Sequence, residues 1–243
     1  MQTTDQAYFN ASRAEMLEFV PTNVQRLLDV GCGAGVFGAL VQRERAGCEV
    51  IGIEMNTAAA HEARARLKYV IEGAVELAFD ELIPQKFDCI VFNDVLEHLV
   101  DPWSILARTR SLLSINGVVI ASIPNVRYYP VARNYLMGKE WKYEKWGVLD
   151  KTHLRFFTEV SVQRLFTETG FRLNICRGIF PLSLSWKIKL LSWLARGLID
   201  DVKFERFACV AVPDADFEKL THQNVDEGQN QAIHLGTSHS SNS

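Results

Sequence analysis

The chain has 243 residues, 48% of them hydrophobic, with 26 Lys and Arg set against 29 Asp and Glu. That is enough apolar material for a real core, which excludes wholesale disorder, and a formal charge of −3 is too balanced for a general binder of polyanions. The acidity is concentrated at the end: residues 214–243 hold five acids and one Lys, leaving 25 cations against 24 acids before them.

In chain order, residues 13–20 read as a helix, ended by Pro21-Thr22-Asn23. Apolar runs of strand length follow at Arg26–Val30, Glu49–Glu54, Phe87–Asn93, 118–123 and 204–212, with helical patterns between them at 58–70 and 103–113. Strand alternating with helix predicts an α/β fold with a doubly wound, mostly parallel sheet. Val118-Val119-Ile120-Ala121 is apolar throughout, as a strand buried on both faces must be. After Pro213 the apolar pattern fades, which predicts a disordered tail at 214–243 behind one domain spanning 1–213.

Five cysteines, Cys32, Cys48, Cys89, Cys176 and Cys209, show neither CxxC nor zinc-like spacing, which suits a reducing compartment. The N-terminus has no secretory pattern, and the longest apolar stretch, 178–199, is interrupted by Lys187, Lys189 and Arg196. The expectation is a soluble cytoplasmic chain without a transmembrane span. Within that stretch, residues 184–199 wind as an amphipathic helix, with Trp186, Leu190, Trp193 and Leu194 on one side and Ser185, Lys189, Ser192 and Arg196 on another. Packing over the pocket or against a subunit is the plain expectation for its apolar side; contact with a membrane surface is the alternative.

A glycine loop, Gly31-Cys32-Gly33-Ala34-Gly35-Val36-Phe37-Gly38, follows the first strand and opens a helix. Such a loop lets the backbone turn tightly against a ligand, whose negative part can face free helix N–H groups. Gly33 to Gly38 also satisfies G-x-G-x-x-G, with Glu54 about 20 residues on, so a dinucleotide site competes. Asp29 argues against phosphates: it stands two residues before the first glycine, where a carboxylate suits an ammonium instead. Glu54 closes the second strand, where two carboxylate oxygens can accept both hydroxyls of a ribose. Cys32 has no basic neighbour in sequence and reads as a small loop residue rather than a nucleophile.

With FDCIVFNDVLEHLVDP at 87–102 and LLSINGVVIASIPN at 112–125, the ordered set resembles the class I S-adenosylmethionine-dependent methyltransferases over roughly residues 8 to 212. The resemblance implies a seven-stranded sheet with one antiparallel edge strand, and the cofactor S-adenosylmethionine across the carboxyl ends of the first strands. Gly31, Cys32, Gly33 and Gly35 would line its methionine part, with Asp29 taking the ammonium. Glu54 would hold the ribose and Met55 the adenine, while Asn93, Asp94 and Val95 would pass beside the methionine moiety and put His98 near the reactive methyl. Tyr8 and Arg13 match an N-terminal helix that closes over the cofactor, and Arg13 would pair with its carboxylate. One departure stands out: relatives end the third strand in Gly-Asp to contact the adenine, whereas this chain has Gly73-Ala74. Asp94 and Glu97 have the alternative task of capping and solvating the following helix.

On the acceptor side, residues 127–151 carry six aromatics and a charge of +3, which reads as an acceptor-side lid at about 125–157. Such a surface suits sugar rings, phosphate-bearing lipids such as lipid-linked sugars, or nucleotide-sugars, the alternative being a lid that packs its own aromatics; RNA would need a broader basic footprint. The string DKTHLRFFT at 150–158 resembles a methyltransferase subgroup associated with bacterial surface-polysaccharide and O-antigen synthesis. A hydroxyl acceptor needs a base near neutral pH, so His98 and His153 are the candidate bases, with His153 the better placed for the substrate proton. No metal cluster is visible from spacing. The expected function is O-methylation of a sugar or another small hydroxylated metabolite. An NAD-dependent sugar oxidoreductase and a non-catalytic binding module are the rivals.

Overall fold

In the computed structural model, residues 9–217 are described. Seven strands form one sheet: β1 (Arg26–Val30), β2 (Glu49–Glu54), β3 (Tyr69–Glu72), β4 (Phe87–Asn93), β5 (Leu113–Pro124), β6 (Phe171–Pro181) and β7 (Phe204–Pro213). Their order is β3-β2-β1-β4-β5-β7-β6. All neighbours pair in parallel except β7, which runs antiparallel between β5 and β6. The connections are α1 (Val36–Glu44), α2 (Thr57–Ala63), α3 (Val75–Glu81), α4 (Pro102–Thr109), α5 (Tyr129–Gly138), α6 (Glu159–Glu168) and α7 (Trp186–Leu194). The segment read as an N-terminal helix is a 3-10 helix, Ala14–Phe19.

The central strands are apolar because both faces are covered. Leu28, Ile90 and Phe92 enter one core cluster with Phe166 and Phe207, whereas Leu27, Cys89 and Val91 enter the other with Met16 and Val41. Alternate residues of one strand therefore feed opposite cores, as the pleat requires. Helix starts follow local chemistry. Asp101 accepts the Ser104 N–H ahead of Pro102 at the start of α4, and Thr158 and Ser161 form a capping box on α6.

Three expected boundaries move. The pattern at 58–70 is helical only as α2, after which the chain turns and Tyr69–Glu72 pairs with Ile51 to Glu54 as β3. The pattern at 103–113 becomes α4 and a 3-10 turn, Arg110–Leu112, with Leu113 already in β5. Strand β5 starts five residues before the expected 118 because Leu113 pairs with Phe87 ahead of an irregularity in register.

Sheet order reverses between β1 and β4, whose successors lie on opposite sides, and a crevice opens beyond their carboxyl ends. Strand β6 is parallel to β5, so the connections leaving β5 and β6 both emerge at this same edge.

Candidate active site

The glycine loop lies at the carboxyl end of β1. Gly31, Gly33 and Gly35 all have positive φ, and the N–H groups of Gly31 and Cys32 donate to the Ile53 carbonyl at 2.8 and 3.0 Å. A Cβ on Gly31 would lie 2.6 Å from Val95 Cγ2, and one on Gly33 would lie 2.6 Å from the Phe9 carbonyl oxygen. Both positions therefore need glycine for conformation and for space. The Glu54 carboxylate is buried and tied to this loop: Oε2 accepts the Gly33 N–H and Oε1 the Asn56 N–H, each at 2.8 Å. Two lone-pair positions remain for a ligand. Met55 stands exposed at the rim, and Ala74 opens α3 beside Gly73, whose N–H donates to the Glu54 carbonyl.

Beneath the loop, Asp29 is fully enclosed and its Oδ2 has no hydrogen-bond partner. Burial, then the neighbouring Glu54 charge, push its pKa up to about 7. Both amide atoms of Asn93, at the end of β4, also lack a partner. A buried polar atom left bare is costly, so these three atoms mark where a polar ligand belongs. An ammonium and a carboxylate or hydroxyl would satisfy them, which fits S-adenosylmethionine and not a bare pyrophosphate. Cys32 is buried, and burial raises its thiol pKa, so it stays protonated.

Asp94 holds a left-handed backbone at φ 54° and accepts Ser122 Oγ–H at 2.6 Å. Arg13 lies 2.5 Å and Arg206 3.3 Å from its Oδ2. Arg13, expected to pair with the cofactor's carboxylate, has its guanidinium on Asp94 in this structure. Tyr8 lies outside the described residues, as does the tail beyond Phe217. Arg206, in β7, was missed by sequence reasoning; its signal is a charge interrupting an apolar strand.

The two motifs on the acceptor side are clamped together. The Glu97 carbonyl accepts the N–H groups of Leu154 and Arg155 at 2.8 and 3.0 Å, and the Arg155 guanidinium reaches the Val100 carbonyl. This puts the His98 and His153 rings edge to face, with centroids 4.7 Å apart. His153 Nδ1 lies 3.0 Å from the Val148 carbonyl and His98 Nδ1 3.2 Å from that of Thr152. A carbonyl only accepts, so each Nδ1 carries a proton, and in the neutral form of His153 Nε2 keeps its lone pair. Burial, then the neighbouring His98, lower the His153 pKa and hold it neutral.

Glu97 is 1% exposed, and neither carboxylate oxygen has a hydrogen-bond partner. Burial, then Asp94, raise its pKa well above the ordinary range. Its Oε1 is 3.9 Å from His153 Nε2. The sequence spacing gives no metal cluster, yet among the described residues folding assembles a candidate trio: ligand atoms of Glu97, His98 and His153 lie within 4.8 Å of one another. Arg13, Asp94, Glu97, His98, Trp146 and His153 all line one cavity of about 450 Å³.

The chain matches a family described as a methyltransferase domain over residues 2–174. It is 27% identical over 177 residues to a ubiquinone biosynthesis O-methyltransferase of Aeromonas salmonicida, spanning 68% of this chain and 71% of that one. Three further relatives of that name are spanned over about half of their own length. A SAM-dependent methyltransferase of Archaeoglobus fulgidus shares the fold at a TM-score of 0.65 and 18% identity, covering 85% of this chain and 97% of that one. Magnesium protoporphyrin IX methyltransferase of Synechocystis, solved with bound SAH, does so at 0.55 and 13%, covering 86% and 84%. The family match and such neighbours support S-adenosylmethionine as the cofactor. With the seven-stranded order, the glycine loop and a family match over most of its length, the chain belongs to the methyltransferase-domain family and is an S-adenosylmethionine-dependent methyltransferase.

Proposed function

We propose that residues 1–213 act as one O-methyltransferase domain that methylates a hydroxyl group of a small metabolite, with His153 as the base. The observation that carries this reading is a neutral, buried His153 whose Nδ1–H is committed to Val148, which leaves Nε2 as the acceptor at the cavity wall. When bound, S-adenosylmethionine supplies a methyl carbon activated by its positive sulfonium. The chain's own residues hold and align. Asp29 would take the ammonium, Glu54 would take the ribose hydroxyls, and the glycine loop and Asn93 to Val95 would flank the methionine part. Met55 would border the adenine, and packing and backbone groups would replace the side-chain contact that Ala74 lacks. In the transfer the carbon–sulfur bond would break and S-adenosylhomocysteine would leave; the acceptor hydroxyl's proton would pass to His153 Nε2, where Asp94 and Asp150 would ease the resulting charge. His98 borders the methyl side.

A relative named for ubiquinone biosynthesis favours a hydroxyl on a small ring as acceptor. A sugar hydroxyl is the other candidate, on the strength of the 150–158 string and the aromatic lid. The unpartnered Glu97 carboxylate beside two histidines favours a second reading, in which a divalent cation lowers the acceptor's pKa instead. Transfer of labelled methyl to a panel of phenols, catechols and sugars, with and without chelator, separates these readings. The base reading expects turnover on a hydroxyl acceptor that survives chelator. His153→Ala should lower it ~10²-fold while donor affinity barely changes. Full turnover in His153→Ala would retire the assignment, and chelator-sensitive turnover would favour the cation. Because the His153 pKa is lowered, the acid limb of the pH profile should fall below the ordinary histidine value.

A further inference from the structure

Helix α7 is built inside out. Its hydroxyl-bearing Ser192 is buried and donates to the Asp200 carboxylate. Trp193 and Leu194 are 75% and 63% exposed, and Leu190 and Leu198 face solvent beside them. Sequence periodicity favours packing of that apolar side over the pocket or against a subunit; in the single chain it faces outward and not over the pocket. The lid behaves alike: α5 buries no residue, and Met137 at its end is 80% exposed. Residues 133–146 are exposed throughout and carry Arg133, Lys139, Lys142 and Lys145 against Glu140 and Glu144, a net charge of +2.

The two elements leave the sheet at one edge, and the segments beside them, 125–127 and 198–204, are joined. Arg127, just before α5, donates to the Leu198 carbonyl at 2.8 Å and pairs with Asp201 at 3.3 Å. Asn125 donates to the carbonyls of Asp201 and Phe204. Apolar and aromatic surface on this scale, bordered by cations, is what an interfacial membrane contact requires; tryptophan suits the headgroup boundary and Lys and Arg suit anionic lipid. Among the described residues no helix is long and apolar enough to cross a membrane.

We propose that this face, made of α7 and the 133–146 lid, docks on the surface of an anionic lipid bilayer. Trp146 belongs to the exposed lid and also lines the cavity, so the docked face carries the cavity wall with it. An acceptor with a hydrocarbon tail would then keep its tail in lipid while its polar head enters the cavity; that last clause rests on the methyltransferase reading, whereas docking does not.

The test uses the full chain with vesicles of phosphatidylcholine, with or without phosphatidylglycerol, and neither donor nor acceptor, so its failure leaves methyl transfer untouched. The protein should float with anionic vesicles and be released by high salt, with tryptophan emission shifted to the blue and quenched by brominated chains. The double variant Trp193→Ser, Leu194→Ser should lose most of the partition and keep its melting temperature and S-adenosylmethionine affinity. Reversing charge at Lys139 and Lys142 should weaken flotation several-fold. No flotation with either vesicle would overturn the proposal. So would undiminished flotation of the double variant, or sedimentation showing that the face instead joins two copies of the chain. Equal partition onto neutral vesicles would overturn the anionic assignment.

Discussion

Asp29 reports on its surroundings through its proton. Its folded pKa of about 7 lies above the unfolded value of 3.8. The folded chain thus holds the proton more tightly, and this residue's contribution to stability is full below pH 3.8 and lost as pH rises through about 7. A bound ammonium demands the carboxylate, so donor binding at about pH 6 should release a proton and tighten as the pH rises. Calorimetry in two buffers of different ionisation heat measures that release; Asp29→Asn should abolish it, and binding without proton release would remove Asp29 from the ammonium role. Glu54 behaves differently because it is already engaged by two backbone N–H groups. Glu54→Ala should weaken donor binding by about 1.5–3 kcal/mol and also loosen the loop, so titration should be read together with thermal unfolding.

At the scale of elements, Asn125 joins what the sheet edge holds apart. It is completely buried, its Nδ2 donates to the carbonyls of Asp201, in the β6–β7 connection, and of Phe204, the first residue of β7, and its Oδ1 accepts the Arg127 N–H. Asn125→Ala should cost about 2–3 kcal/mol in urea unfolding, since the carbonyls and the N–H lose their partner together. A loss below a few tenths would mean that water replaces the amide. The strands β1, β2 and β4 were legible because apolar runs between turn residues need no distant information. Strand β3 was not: Arg64 to Lys68 continue a helical pattern, and only pairing with β2 draws Tyr69 to Glu72 out of it. The outward face of α7 was equally hidden, because periodicity shows that a helix has two faces without saying which one the sheet receives.

For the molecule as a whole, the meeting of the residues proposed for the donor was readable, and that of the residues proposed for the acceptor only half so. Asp29, the glycine loop and Glu54 lie within one strand-loop-strand unit, so their meeting follows from local order. Glu97 and His153 are 56 positions apart in sequence. Their approach depends on the Glu97 carbonyl capturing Leu154 and Arg155, a backbone contact that no residue pattern announces. Likewise Arg13 and Arg206 come from opposite ends of the chain to flank one carboxylate at the sheet's carboxyl edge.

The central claim is a donor site at that edge, built from Asp29, the glycine loop and Glu54. Titrating the purified chain with S-adenosylmethionine and, separately, with NAD tests it most directly, with Gly33→Val as the control because its added Cβ would meet the Phe9 carbonyl oxygen at 2.6 Å. Saturable binding of S-adenosylmethionine alone, lost in Gly33→Val, is the expected result. Binding of NAD in its place, or S-adenosylmethionine affinity unchanged by Gly33→Val, would contradict it.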